Sequence, residues 1–335
     1  SFMATRDEVD STRGRANALR AALSGKLPIE ELNSKKLFNV LDLCLECKTC
    51  RSECPSGVDM AKIKYEFLHQ YYKKNKIPLR SRLTGNIAIL NKIGAIFPSI
   101  FNLTRKLFIF KLLSDYLLKI DKRRNIPQIA SNSFEKLYKS DANSKEKMAV
   151  FFHDTFTNYN HPQVGLSAIK ILKSLNYNVM LIDKKCCGRP LISKGLLESA
   201  KKNARHNIDK LYTHVKEGAI VVGAEPSCVS ALKDEYPDMF PEDDKAKLIS
   251  NSTYLLQEII ADPANSNKIK FKNNIDKKSY AVQVHCHEKT IVGENVSIDS
   301  MKLIPNSKVE KIPSGCCGMA GAFGYEKEHY DISKK

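Results

Sequence analysis

The 335-residue sequence contains no tryptophan and no run of about 18 uncharged apolar residues, so no transmembrane helix is expected. Its N-terminus lacks the basic-then-apolar layout of a secretory signal. No Gly-rich phosphate loop, hydride acceptor or Ser/His/Asp triad is visible, so the isolated chain is not expected to oxidise a substrate. Cysteine is sparse: ten residues in one tight group, two Cys-Cys pairs and two singles. A secreted disulfide domain would be short and would spread its cysteines more evenly. A reducing compartment with metal or redox thiols is expected instead. The location that follows is cytoplasmic, with peripheral attachment to the inner membrane face as its variant. Acidic residues are also in deficit, 37 Asp+Glu against 54 Lys+Arg, a net charge of +17. The lysines are scattered and no nucleic-acid motif is present, so an acidic partner surface is a better fit than nucleic acid.

Residues 1–85 read as helical. Ser11 or Thr12 can cap a helix carrying Ala16, Leu19, Ala22 and Leu23 on one stripe. A second helix is expected over 29–43 and a third over 59–76, with the cysteine group between them. The stretch 87–120 is rich in Ile, Leu and Phe but interrupted by Lys92, Arg105, Lys106, Lys111 and Lys119. Packing of one or two amphipathic helices on a neighbouring domain is expected over a membrane-surface helix. Residues 121–147 are polar and suit a linker, making 86–147 a helical linker region. From 148 strands and helices alternate, which predicts a parallel α/β sheet. Strands are expected at 148–152, 178–182 and 219–222. A second pass over 280–284 and 308–312 reads as a weak repeat, with units at about 148–235 and 278–335. The fold class is therefore α + α/β, a helical N-terminal domain followed by an α/β cysteine-rich domain over 148–335.

The sharpest local signal is Cys44, Cys47, Cys50 and Cys54 followed by Pro55, the C-x2-C-x2-C-x3-C-P spacing of iron–sulfur ligands. Zinc sites usually split into two separated pairs. In two-cluster ferredoxins the fourth cysteine ligates the other cluster, and only one such motif is present here. A second constellation is Cys186, Cys187, Cys228, Cys286, Cys316 and Cys317, with His153, Glu225, His285 and His287. All lie just past the carboxyl ends of expected strands, where open parallel sheets bind ligands. Cys186 to Cys316 is 130 residues and His153 to Cys286 is 133, in keeping with a repeat. Glycine after each Cys-Cys pair permits a tight turn and close approach by a cofactor.

These residues resemble the iron–sulfur portion of FAD-linked 2-hydroxy-acid dehydrogenases of the glycolate oxidase and D-lactate dehydrogenase type. The resemblance runs through Met3–Glu8, Ser11–Ala16, the ferredoxin motif, Cys186–Pro190, Glu225–Cys228, His285–His287, Gly315–Gly321 and Phe323–Glu326. It is weakest over about 85–145. It implies a ferredoxin-like domain over 1–85 with a [4Fe-4S] cluster, and a second cluster or other metal in the cysteine-rich CCG domain. It also implies that the chain is a fragment. FAD would lie in a missing upstream domain or flavoprotein subunit, and a quinone or cytochrome would accept the electrons. The family pattern of one Cys, then Cys-Cys, then C-x-x-C is altered here, since His153 and Glu225 stand at two cysteine positions. One site shared by Cys187, Cys228, Cys286 and Cys317, with Cys186 and Cys316 close by, is the resulting expectation. Two other readings stand beside it: a zinc or thiol structural module, and a thiol–disulfide enzyme like heterodisulfide reductase.

Overall fold

The computed structural model describes residues 2–139, 147–271 and 276–335. Residues 140–146 of the expected linker lie outside the described residues. Ser11 caps the helix Thr12–Leu23 by accepting the N–H of Gly14. The helix expected over 29–43 is two elements, a 3-10 turn Ile29–Asn33 and an α-helix Lys35–Asp42. Ser34 causes the break, because its hydroxyl caps the second helix at Leu37 N–H. Asp59 caps Met60–Lys74 through two N–H groups. These helices bury Leu19, Leu37, Leu41, Met60, Phe67 and Leu68 in one core.

The stretch 87–120 forms three short helices, Ile87–Gly94, Pro98–Thr104 and Phe108–Leu118. The expected apolar packing onto a neighbour is made only in part: Phe101 and Ile129 close on Gly94, and Ile87, Phe110 and Leu118 are half-buried. Their buried residues are small or polar, Asn91, Gly94 and Ser114. Most of their other large apolar side chains are exposed. Beyond them, Phe134 and Tyr138 enter the core of the sheet, and the Tyr138 hydroxyl donates to the Val179 carbonyl at 2.9 Å.

Four parallel strands form the main sheet: β1 (Lys147–Phe151), β2 (Tyr177–Met180), β3 (Ile220–Gly223) and β4 (Thr253–Leu255), in the order β2-β1-β3-β4. β1 is buried on both faces. Val150 and Phe152 meet the helix Leu197–Lys216 through Ile208 and Leu211. Ala149 and Phe151 meet Leu172, Val179 and Phe134. That is why β1 reads as an unbroken apolar run and not an alternating one. A second, two-stranded parallel sheet pairs β5 (Lys278–Val282) with β6 (Ser307–Lys311).

The C-terminal segment is tied across to the N-terminal helices. His329 sits between Asp42 (2.9 Å) and Glu326 (3.0 Å), with its ring stacked on Phe323. Burial pulls the imidazole pKa down, but the two carboxylates outweigh burial and raise it to about 9. A pKa raised on folding adds stability that is complete below the ordinary value near 6.5 and is lost as pH climbs through about 9. Between pH 6 and pH 10 the wild-type chain is expected to lose roughly 2 kcal/mol from this group. Urea midpoints across that range check this, and H329Q should flatten the curve. Equal slopes in both proteins would exclude the latch.

Candidate metal centre

All ten cysteines are free thiols. The loop from Cys44 to Cys54 passes through two left-handed residues, Glu46 (φ 53°) and Lys48 (φ 62°). Residues with a Cβ occupy that region at a cost and need outside support. Ion pairs with the α/β half supply it. Arg189 reaches Glu46 at 2.9 Å and Glu235 at 3.0 Å. Lys48 is wholly enclosed and pairs with Asp234 and, at 2.6 Å, with Glu235. Arg51 and Lys62 also reach Asp234. Burial raises the Asp234 carboxyl, but Lys48 and Lys62 outweigh it and hold the group far below the usual range.

The acidic partners come from a π-helical turn, Ala231–Glu235, which continues the helix Pro226–Ser230. Pro237 explains the widening. It has no N–H to give the Lys233 carbonyl, and its ring would clash there in an α-helix. The freed Lys233 carbonyl accepts the Ser250 hydroxyl at 2.6 Å instead.

Backbone N–H groups are aimed at the sulfurs of Cys44, Cys50 and Cys54. Met60 N–H donates to Cys50 Sγ at 3.3 Å. Glu46 N–H bonds Cys44, whose thiol burial pushes up. The N–H groups of Val58, Ser56 and Gly57 converge on Cys54 and hold its thiol below the ordinary value. Cys44 and Cys47 both lie within electrostatic reach of Cys50. Lys64 crosses under the loop, donating to the carbonyls of Asp42 (2.9 Å) and Cys44 (2.7 Å).

In the α/β half, Cys186 and Cys187 follow β2, and the N–H groups of Gly188 and Arg189 bond their sulfurs. Cys187 Sγ lies 3.0 Å from Cys228 Sγ. Two residues that sequence reasoning missed hold this turn. Enclosed Asn207 bonds both the N–H and the carbonyl of Lys185, and the Tyr236 hydroxyl bonds the Cys187 carbonyl at 3.1 Å. Past β6, Gly318 N–H donates to Cys316 Sγ at 3.3 Å. A hydrogen bond with Cys286 pulls the Cys316 thiol down to about 6 and pushes Cys286 up.

The cysteines thus meet as Cys187 with Cys228 and Cys286 with Cys316. Cys317, expected among the shared ligands, is exposed, but it hydrogen-bonds Cys316 and lies within electrostatic reach of Cys286. The space beside each CCG glycine is also taken by the chain itself. A Cβ on Gly318 (φ +73°) would meet the Ser333 carbonyl, and one on Gly188 (φ +92°) would touch Ala200. The tight turns are there, but protein lies against both glycines.

The two cysteine regions adjoin. Helix Cys286–Ile291 packs against Thr49–Glu53, which carries Cys50, and against Pro226–Ser230, which carries Cys228. Thr290 Oγ1 donates to the Cys47 carbonyl at 3.4 Å, and Glu225 lies 4.0 Å from His285. His287 Nε2 bonds the Glu46 carbonyl at 3.1 Å. A carbonyl only accepts, so Nε2 carries the proton. Burial keeps this imidazole neutral, leaving its Nδ1 enclosed and without a hydrogen-bond partner. His153 is enclosed too and bonds Glu135 at 2.8 Å, while burial pulls its pKa down.

The residues fit a thiolate-bound cluster. Donors cradle the sulfurs, buried cations flank the loop, and a buried ring nitrogen beside Cys286 lacks a partner. Among the described residues no three His, Cys, Asp or Glu side chains converge closely enough to hold one metal ion.

A model of the cysteine-rich domain family CCG matches residues 150–233. One subunit of the anaerobic glycerol-3-phosphate dehydrogenase of Escherichia coli (strain K12) is 30% identical over 275 residues, covering 78% of this chain and 67% of that subunit. The D-2-hydroxyglutarate dehydrogenase of the same strain is 25% identical over 313 residues, 90% of this chain and 30% of that enzyme. The glycolate oxidase iron–sulfur subunit of that strain is 25% identical over 345 residues, 98% of this chain and 77% of the subunit. The chain therefore spans under a third of that D-2-hydroxyglutarate dehydrogenase. No solved structure matches it.

Proposed function

The chain belongs to the iron–sulfur portion of FAD-linked hydroxy-acid dehydrogenases, the family that includes the matched subunit of anaerobic glycerol-3-phosphate dehydrogenase, and from that premise we propose that it carries electrons from a flavoprotein, through two cysteine sites, to an acceptor. One observation carries the path: the Cys44–Cys54 loop rests on the helix that begins at Cys286, with Cys47 within electrostatic reach of the Cys286 thiol. Bound at these sites, iron–sulfur clusters of the [4Fe-4S] type would supply one-electron transfer.

The chain's own residues would set where and how readily that occurs. Cys44, Cys47, Cys50 and Cys54 would hold the first site, in a ferredoxin-like domain over 1–85. Cys187, Cys228, Cys286 and Cys316 would hold the second, with Cys186 beside it and Cys317 facing solvent, in a CCG domain over 148–335. Residues 86–147 would connect the two. N–H donors to sulfur would favour a reduced, more negative centre and so raise its potential. The flavin would lie on an upstream domain or separate subunit, and a quinone or cytochrome would take the electrons.

Iron, acid-labile sulfide and zinc per chain, measured after anaerobic reconstitution, test the reading. Iron with equal sulfide, in multiples of ~4, is expected. C47S and C187S should each remove a separate share. Zinc without sulfide would overturn the proposal.

A further inference from the structure

His287 follows Cys286 at the start of the helix Cys286–Ile291 and is only 6% exposed. Its two ring nitrogens stand in different states. Nε2 carries the proton, because the Glu46 carbonyl at 3.1 Å can only accept. The neutral ring therefore keeps a lone pair on Nδ1, and that enclosed nitrogen meets no donor. The cations nearby are engaged elsewhere, Arg189 with Glu46 and Glu235, and Lys48 with Asp234 and Glu235. An enclosed polar atom without a partner is costly to keep. Burial, with Arg189 beside it, also holds the ring unprotonated, which is the form that binds metal. A metal-ligating histidine has this arrangement. One nitrogen donates its N–H to a carbonyl or carboxylate, which fixes the tautomer and leaves the other nitrogen to the metal.

The other histidines near the cysteines do not offer such a nitrogen. His285 accepts the His287 N–H on Nδ1 at 3.2 Å and faces Glu225 with Nε2. His153 also has an unpartnered Nδ1, but its ring packs on Phe134, in the core on the other face of the sheet from Cys187 and Cys228. His287 instead adjoins Cys286, which hydrogen-bonds Cys316 and has Cys47 and Cys317 within electrostatic reach. No three side chains meet at one point there, as a single ion would need. A cluster makes no such demand, since each iron takes its own ligands, and histidine replaces cysteine on one iron of a Rieske centre.

We propose that His287 Nδ1 is an iron ligand of the centre that Cys286 and Cys316 help to hold, so that imidazole as well as thiolate binds it. The proposal rests on the electron-transfer reading and deepens it. A neutral nitrogen where a thiolate would stand makes a centre less negative and raises its potential. Electrons arriving at the all-thiolate first site would then pass downhill to the second.

The test is pulsed electron paramagnetic resonance on the anaerobically reconstituted chain, its histidines labelled with heavy nitrogen and its clusters poised in a paramagnetic state. A hyperfine coupling of the strength of directly bound imidazole is expected. H287Q keeps an N–H for the Glu46 carbonyl but has no second nitrogen, and it should lose the coupling. H153Q should keep it. H287C offers a thiolate instead, so it should hold its iron and titrate at a lower potential, a shift that loss of a clamp alone does not produce. Iron with sulfide but no histidine coupling overturns the ligand and leaves the electron-transfer reading standing, as does a coupling that survives in H287Q. Zinc without sulfide overturns both.

Discussion

Replacing Lys48 with methionine is expected to cost about 3 kcal/mol of stability, at the low end of what breaking a buried ion pair costs. The ammonium is fully enclosed, and so is its partner Glu235. Removing the cation leaves two carboxylates short of charge. The loss stays at the low end because Arg189 still pairs with Glu235, and Arg51 and Lys62 still pair with Asp234. The backbone adds to the effect, since position 48 remains left-handed with nothing to hold it. Urea unfolding of K48M measures the cost. K48M/E235Q should recover part of it, because the buried charge left unpaired is then gone. A change below about 1 kcal/mol would show that the network does not brace the loop. Cluster content offers a second readout. K48M should lose iron from the Cys44–Cys54 site and keep it at the other.

Gly318→Ala is expected to be nearly as damaging, for a steric reason. A Cβ there would stand 2.1 Å from the Ser333 carbonyl oxygen, a backbone atom of the helix Tyr330–Lys334. That helix would have to leave, and the left-handed turn itself adds about 1–2 kcal/mol for a residue with a Cβ. Its departure takes the Arg124–Ser333 bond with it and frees the segment that carries His329. The same glycine supplies the N–H that bonds Cys316. G318A should therefore melt several degrees lower, expose its last residues to protease, and bind less iron at the second site. G188A is the control for the turn alone, since at φ +92° it carries the left-handed strain too but its Cβ would meet only Ala200 at ordinary contact distance. Equal melting of G318A and wild type would exclude the clash.

Much of this was legible in the sequence, because much of it is local. Ser11 and Asp59 announce helix starts by chemistry that acts over three residues. The apolar run at 148–152 announces a strand buried on both faces. Cysteines beyond strand ends announce the edge of a parallel sheet. What stayed hidden joins distant positions. Lys48 reads as a filler between two cysteines until Asp234 and Glu235, 186 and 187 residues on, are folded against it. Nor does the π turn that presents them show in periodicity, although Pro237 is its cause. The stretch 87–120 misled for a related reason. Its apolar content was plain, but which side faced inward depended on Asn91 meeting Asn160 and Asn102 meeting Ile129.

The braced cysteine loop has a consequence for how the chain is made. Glu46 and Lys48 emerge from a ribosome before their supports: Arg189, then Asp234 and Glu235, then the His287 ring on the Glu46 carbonyl. The interval from Glu46 to His287 is 241 residues. At roughly 5–20 residues per second that is on the order of 10–50 s. Through that time the first motif lacks the clamp that holds its two left-handed residues in place. Iron offered to the growing chain would meet an unformed site. On the proposed reading, the N-terminal motif would load only once the C-terminal half has folded against it.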